Sequence, residues 1–418
     1  MRILLLHQYY LPPHEAGGNR WNELCRLWAE QGHQITVIAG MVHYNRGRKY
    51  EHCRGRWVVE ENDIAGVHVV RTHVSEWHNV NWAGRLWAYL TFLFSGTWAG
   101  LFRVSTGYDV LIVTSPPLLL GVLGIVLAWW KRLPLVTEIR DLWPDTPVQM
   151  GVLKGVFLIR AAYALERWLY NCSEKVVVLT PAFRQVLRER KGVELSKIIV
   201  IPNAADFQRT DQLRATFDRK AFRQAQKMEG FLWIVYAGAH GVANQLDQLV
   251  ATAALLQNQP VRFLLIGDGM AKNTVRAEVE RRALQNVRFM DALPREVAFQ
   301  YILASDVGMM TMQRLDIFKT IYANKMFEYM AARLPILTAI DGISRLVVER
   351  SNAGMFVDLQ KPVEVAKRIR LYLNQPELRC RHGQNGYEYA KIHFDRKRLA
   401  DEYLQCLADV PKNRKTSD

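Results

Sequence analysis

The chain has 418 residues, half of them hydrophobic and 23% charged, and carries no long low-complexity tract. These values exclude a disordered chain and a single ordinary core, and predict a globular protein of two domains. A formal net charge of +15 and a pI near 9.6 predict an anionic partner, left open by charge alone between nucleic acid, an anionic membrane surface and phosphorylated substrates.

The run RILLLHQYY is too short in its apolar part for a signal peptide and reads as a first strand. Apolar runs at 2–6 and 35–39 flank a helical pattern through Leu24, Leu27 and Trp28 that stops at Gly32. Strands are expected near 67–71, 110–113, 135–139 and 175–179, with helices around 83–104, 117–131 and 153–171. Fully apolar strands alternating with helices predict a parallel sheet covered on both faces. The stretch PLLLGVLGIVLAWW, 117–130, falls short of the roughly 20 apolar residues of a spanning helix and reads as a buried helix.

After IPNAADF the pattern restarts at FLWIVYAGAHG, with strands at 231–237 and 261–266, helices at 245–257 and 270–285, and strands near Val287, Asp306, Ile336 and Met355. The expected domains are 1–205, 206–385, and a terminal segment 386–418 that packs back toward the first domain and ends in a frayed tail. The fold class is α/β, with two doubly wound Rossmann-like domains facing across a cleft. Such sheets bind ligands beyond the carboxyl ends of their strands, so function is sought in strand-to-helix loops.

Four loops qualify. In HQYYLPPHEAGGNRW, Gly17 and Gly18 lie between the first strand and helix, where the chain is either a tight packing turn or an approach to an anion or hydroxyl-rich ligand. In YAGAHG, Gly238 and Gly241 permit close approach, and His240 either bonds a phosphate or is satisfied by its neighbours. In GDG, Gly267, Asp268 and Gly269 either border a nucleotide or form a turn with Asp268 as a helix cap. In IYANKMFEYMAARLPIL, Lys325 and Glu328 are three apart on a helix starting near Asn324, either as a solvated pair or as a cation for pyrophosphate and a carboxylate for ribose.

The order HQYYLPP, GG, GHQITVIAG, EIRDLWP, VVVLTPAF, IPNAADF, YAGAHG, FLLIGDG and KMFEYMAARLPIL resembles the family 4 retaining glycosyltransferases of GT-B fold, over nearly the whole chain. Among them it most resembles the N-acetylfucosamine-transferase-like branch of bacterial O-antigen, capsule and exopolysaccharide synthesis. The resemblance implies a nucleotide-sugar donor, expected to be UDP-linked and to carry an N-acetylamino sugar, on the second domain, and a lipid-linked or glycan acceptor on the first. It places Glu328 on the ribose, Gly267, Asp268 and Gly269 beside the base, and Gly238, His240 and Gly241 at the phosphates. Gly17 and Gly18 would approach the donor phosphates and the acceptor.

Two departures stand out. The first glutamate of the family's paired motif falls on Thr320, and AHGVANQLD lacks the basic pair common after YAG. Lys325 is therefore the leading phosphate cation, with Arg314 and Lys319 as further candidates. Lys325 and the glycine-loop N–H groups would stabilise the leaving diphosphate. The family's front-face mechanism demands no protein nucleophile, and no D-x-D motif precedes the donor site, so transfer without metal or cofactor is expected. For the acceptor, Asp141 in EIRDLWP either orients a hydroxyl or caps the next segment, with Arg140, Glu15 and Asn19 as further candidates.

The stretch 77–104 carries Trp77, Trp82, Trp87 and Trp98, and NRGRKYEHCRGRW adds Arg46, Arg48, Lys49, Arg54 and Arg56. Together they read as an anionic-membrane contact or as a core helix beside a solvated loop. The first reading puts the protein in the cytoplasm, peripheral to the inner face of the cytoplasmic membrane. Five scattered cysteines without C-x-x-C or zinc spacing agree with a reduced compartment. A non-hydrolysing nucleotide-sugar epimerase is the alternative on the same fold. No nucleic-acid motif accompanies the charge, and the glycine spacing is wrong for a nicotinamide dinucleotide.

Overall fold

The computed structural model describes residues 1–12, 20–43, 46–79 and 81–410. The described residues through Pro202, together with those from Lys397 onward, form one compact unit, and Asn203–Arg396 form a second.

The first unit holds β1 (Arg2–Leu6), β2 (Gln34–Gly40), β3 (Val58–Ile64), β4 (Val67–Thr72), β5 (Val110–Ser115), β6 (Leu135–Ile139), β7 (Lys175–Val178) and β8 (Ile198–Val200). Their order across the sheet is β3-β4-β2-β1-β5-β6-β7-β8. Every pairing is parallel except β3 with β4. The expected all-parallel sheet is corrected at that edge. The sequence of β3, VVEENDI, is too charged for an apolar-run search, yet charge suits a strand that leaves one side unpaired. The winding direction reverses between β1 and β5, which makes their carboxyl ends the place where a doubly wound sheet opens to ligand.

Helix α1 (Arg20–Glu30) stops where Gly32, at φ +82°, lets His33 N donate to Trp28 O at 3.1 Å. Helix α2 (Trp82–Phe102) starts on the Asn81 side chain, which accepts from Gly84 N at 2.7 Å. It packs on α3 (Leu120–Lys131) through Gly96 and Gly100; a Cβ on Gly100 would stand 2.4 Å from Leu127 Cδ1. Helix α4 (Val156–Cys172) continues the same layer, with Leu169 filling the space above Gly121. The reading of α3 as a buried helix holds for Leu120, Leu123 and Leu127 and fails at its end, where Trp129 and Trp130 are exposed.

Inside the unit, the guanidinium of Arg20 binds both carboxylate oxygens of Glu138, with Nη2 to Oε2 at 2.9 Å, and donates to the carbonyls of Ile201 and Pro202 at 3.0 and 2.6 Å. Both side chains are buried. One cation thus ties α1, β6 and the chain leaving β8. The last helix, Arg396–Ala408, closes over α1: Trp28 Nε1 donates to Ala400 O at 3.0 Å, and the Tyr403 ring lies 5.8 and 5.4 Å from those of Trp21 and Trp28.

The second unit holds β9 (Leu232–Ala237), β10 (Val261–Ile266), β11 (Val287–Met290), β12 (Val307–Met310), β13 (Ile336–Thr338) and β14 (Gly354–Phe356). The order β11-β10-β9-β12-β13-β14, parallel throughout, is the dinucleotide-fold order 3-2-1-4-5-6. Here the winding reverses between β9 and β12. The loop after β9 is YAGAHG.

Removing one partner of a buried ion pair leaves an uncompensated charge, so Glu138→Leu should cost about 3–5 kcal/mol in urea unfolding, whereas Arg20→Met/Glu138→Leu should recover part of that loss. An unchanged midpoint for Glu138→Leu would show that the pair does not hold the unit together.

Candidate functional site

At the switch point of the second unit, two loops lock together. Gly238 N donates to Ile266 O at 2.9 Å, His240 N to Asp268 O at 2.8 Å, and Ala271 N to His240 O at 2.9 Å. The contact requires glycine. Gly267 has φ +143°, and a Cβ there would stand 1.9 Å from Gly238 O; Gly269 has φ +152°, with His240 O at 2.6 Å from such an atom. From below, Lys272, at the start of α5 (Lys272–Arg281), donates to Gly267 O at 2.9 Å and to Asp291 Oδ1 at 2.5 Å. Asp268 is exposed and accepts from Gly269 N at 2.9 Å, so it does not cap the helix, which begins four residues later.

These bonds change what the glycines can offer. The amides of Gly238, Gly241, Gly267 and Gly269 are directed to Ile266 O, Asn244 Oδ1, Met290 O and Asp268 Oδ1. The four glycine amides are thus engaged within the loops, and what these residues supply in the described structure is closeness of backbone. His240 is fully buried. Its ring nitrogens have no hydrogen-bond partner among the described residues. Burial, reinforced by the charges of Lys272 and Lys325, pulls its pKa down to about 4, so the ring is neutral and forms part of the wall.

The available cation is Lys325, on α6 (Asn324–Ala331). Its Nζ lies 3.5 Å from the centre of the Tyr236 ring, which is fixed by a 2.8 Å bond from its hydroxyl to Ala239 O. It also stands beside Gly238, where a Cβ would be 3.2 Å from Lys325 Nζ. No ion pair engages Lys325 among the described residues. Desolvation, only partly opposed by Glu328, pulls its pKa down to about 7. Glu328 pairs with Arg295 at 3.8 Å rather than with Lys325, although both lie on α6. The two further cation candidates are already engaged: Arg314 by Asp358 and Gln360, and Lys319 by Asp316. Thr320 donates to Ile317 O at 2.6 Å, closing a short turn before α6.

Of the residues expected at the switch point of the first unit, Glu15, Gly17, Gly18 and Asn19 lie outside the described ones. The described groups there are His7, Thr114, Arg140 and Asp141. His7 Nδ1 bonds Thr114 Oγ1 at 2.9 Å, and its Nε2 is 3.3 Å from Arg140 Nη1. Burial and the charge of Arg140 lower the His7 pKa, so Arg140 donates to a neutral ring. Asp141 Oδ1 accepts from Leu142 N and from Thr146 Oγ1, each at 2.9 Å. It thus caps the following turn, as the structural alternative expected, and burial raises its pKa. Its other oxygen makes no hydrogen bond among the described residues.

Sequence reasoning missed His7, Tyr236, Lys272 and Arg295. Only His7 left a visible signal, a polar residue at the end of an apolar strand. One cluster of metal-ligand types is found among the described residues, His52, Cys53 and Glu61. Arg71 already covers both Glu61 oxygens at 2.7 and 2.8 Å, and burial pushes the Cys53 thiol up to about 11, so the cluster works as a salt bridge.

Residues 16–204 match a glycosyl transferase 4-like domain and residues 232–375 match the glycosyl transferases group 1 domain. The chain belongs to the family 4-like glycosyltransferases. This glycosyltransferase is similar, at 24% identity over 304 residues, to the Escherichia coli K12 protein WcaI, whose name assigns it to colanic acid biosynthesis; the match covers 70% of this chain and 74% of that one. Two solved structures show the shared GT-B fold. WaaG, a glycosyltransferase involved in lipopolysaccharide biosynthesis, has TM-score 0.70 at 15% identity, covering 97% of this chain and 100% of that one. Anabaena HepE in complex with UDP-glucose has TM-score 0.70 at 16% identity, covering 98% and 99%. Nothing in these matches supports the epimerase alternative.

Because Gly267 has a carbonyl where a Cβ would go, Gly267→Ala should separate the two loops and lower the unfolding temperature of the second unit by several degrees, about what a loss of 1–3 kcal/mol produces. Circular dichroism melting checks this, and an unaltered transition would mean the loops tolerate the side chain.

Proposed function

We propose that this enzyme is a retaining, metal-independent glycosyltransferase of bacterial cell-surface polysaccharide synthesis. It takes a nucleotide diphosphate sugar, UDP-linked and bearing an N-acetylamino sugar, and transfers the sugar to a lipid-linked or glycan acceptor. The observation that carries this reading is Lys325: a partly buried ammonium in no ion pair among the described residues, held over Tyr236 beside glycine loops at the switch point of a dinucleotide-type sheet. A site that keeps a cation uncompensated is suited to an anion. The names of WcaI and WaaG support the polysaccharide setting, and UDP-glucose in HepE supports the donor class.

The second unit takes the donor. Breaking the sugar–phosphate bond puts negative charge on the leaving diphosphate, and Lys325 stands preorganised to meet it. Gly238, Gly267 and Gly269 let the phosphates and base approach the backbone, and Glu328, oriented by Arg295, takes the ribose hydroxyls. The first unit takes the acceptor, with Arg140 and Asp141 at its switch point; Glu15 and Asn19 complete the proposed set. Retention proceeds by front-face attack, the leaving phosphate accepting the acceptor proton.

A lipid-linked acceptor would put the work at the cytoplasmic face of the membrane. Trp77, Trp87 and Trp98 are exposed, as are Arg46, Arg48, Arg54 and Arg56; the Trp82 side chain lies outside the described residues. No described helix is long and apolar enough to cross a membrane.

A panel of nucleotide sugars tested for thermal stabilisation should identify the donor, with Lys325→Ala and Glu328→Ala each reducing the shift. An undiminished shift in either variant removes that residue from the donor site. The Lys325 pKa adds a sign. Free Lys325 loses its proton above about pH 7, whereas a bound diphosphate holds it protonated, so the dissociation constant should rise with pH above 7, toward about tenfold per unit. Lys325→Arg should flatten that profile. Calorimetric titration between pH 6 and 9 decides, and a flat wild-type profile would show that Lys325 takes up no proton on binding.

A further inference from the structure

Helices α2, α3 and α4 form one layer against the first sheet, and their outward side has an unusual composition. On α2, Trp87, Phe94, Trp98 and Phe102 recur at steps of seven, four and four, a single exposed stripe. On α4, Phe157, Ala161, Ala164 and Trp168 recur at steps of four, three and four, and all four are exposed. Between them α3 ends in Trp129 and Trp130. Phe157 and Trp129 are 87% and 70% accessible, so their rings are left in water by the fold itself. Beside them, Ile125, Trp129, Leu133, Trp168 and Cys172 line an apolar groove of about 420 Å³ between α3 and α4.

The charge on this layer has one sign. The three helices carry Arg85, Lys131, Arg160 and Arg167, and a single acid, Glu166. Glu166 is buried and bound to Lys191 at 2.9 Å, so it does not reach the surface. Arg85, Arg160 and Arg167 are exposed and enter no ion pair among the described residues. Lys131 turns its ammonium to Val104 O and Ser105 O, which leaves the three arginines as the exposed charges of the face.

We propose that this face, α2–α3–α4, is the surface by which the protein rests on an anionic phospholipid bilayer, Trp and Phe entering the headgroup boundary and Arg85, Arg160 and Arg167 meeting lipid phosphates. The proposal rests on the membrane reading given above: it keeps Trp87 and Trp98 of that reading but replaces the Arg46–Arg56 loop with the α3–α4 side and its arginines as the contact. Tryptophan at an interface keeps its indole N–H wet and its ring dry, which suits exposed aromatics along a helix better than core packing does. A 21-residue helix is about 32 Å long, so the stripes make an extended side rather than a pocket for one side chain. A second copy is the poorer occupant. A twofold interface would set arginines against arginines with no exposed carboxylate on these helices to separate them.

Co-sedimentation with vesicles of equal parts phosphatidylglycerol and phosphatidylcholine tests the assignment, with phosphatidylcholine alone as control. The full chain should bind the anionic vesicles. Phe157→Ser/Trp129→Ser/Trp168→Ser should weaken that binding at least tenfold, and Arg160→Gln/Arg167→Gln about fivefold for each cation lost. The arginine pair is exposed and unpaired, so it carries the test if the aromatic variant does not fold. Wild type that ignores anionic vesicles would remove the membrane reading itself. Variants that bind as wild type does, while Arg46→Gln/Arg54→Gln releases the protein, would keep that reading and overturn this face. Variants that change the sedimentation coefficient without lipid, and leave vesicle binding intact, would assign the face to a second copy and overturn the proposal too.

Discussion

An ammonium group taken partly out of water, and in no ion pair among the described residues, is the constraint around which the second unit's switch point is arranged. Lys325 has the Tyr236 ring under it and Gly238 beside it, and its lowered pKa records the cost of that position. Four other cations of the second unit are engaged in ion pairs: Arg295 with Glu328, Lys272 with Asp291, Arg314 with Asp358, Lys319 with Asp316. Among the described residues these four cations are in ion pairs and Lys325 is not, and this contrast supports the proposal that it meets an anionic donor group. A ring face lends a cation some stabilisation without occupying its charge, so Tyr236 holds Lys325 in place and leaves it available.

The glycines serve that cation by geometry rather than by hydrogen bonding. Gly238, Gly267 and Gly269 bring two strand-ends so close that any side chain would meet a carbonyl or Lys325 itself, and their own amides are consumed in holding the loops together. His240 sits inside this junction as a neutral ring, and Lys272 braces it from beneath. The rigidity of the wall follows from this interlocking, since neither loop moves without breaking bonds to the other.

The first unit solves a different problem. Its strands are apolar almost throughout, yet Glu138, next to the end of β6, has no accessible surface. The carboxylate is tolerable because Arg20 reaches it from the start of α1 and spends its remaining donors on Ile201 and Pro202 carbonyls. The same pair ties the second domain's point of departure to the core of the first sheet. On the opposite side of the sheet, glycines at 96, 100 and 121 let α2, α3 and α4 pack closely, which turns their aromatic residues outward instead of burying them.

The sequence by itself determined the two α/β units, the positions along the chain of most strands and the resemblance to glycosyltransferases, and it pointed to the loops proposed as the site. All of these rest on local periodicity and on residues whose backbone demands, like those of Gly238 or Gly267, are written in the residue type. It missed β3, because a charged edge strand has no apolar run to find, and it read α3 as buried, because periodicity does not say which end of a helix outruns its sheet. Tertiary structure alone decided how charges pair. Lys325 and Glu328 share a helix and were natural partners on spacing, but Arg295 arrives from another segment and takes the carboxylate. Asp141 likewise turned out to cap its own turn. Pairing depends on side chains that meet only after the chain has folded, so no local pattern records it.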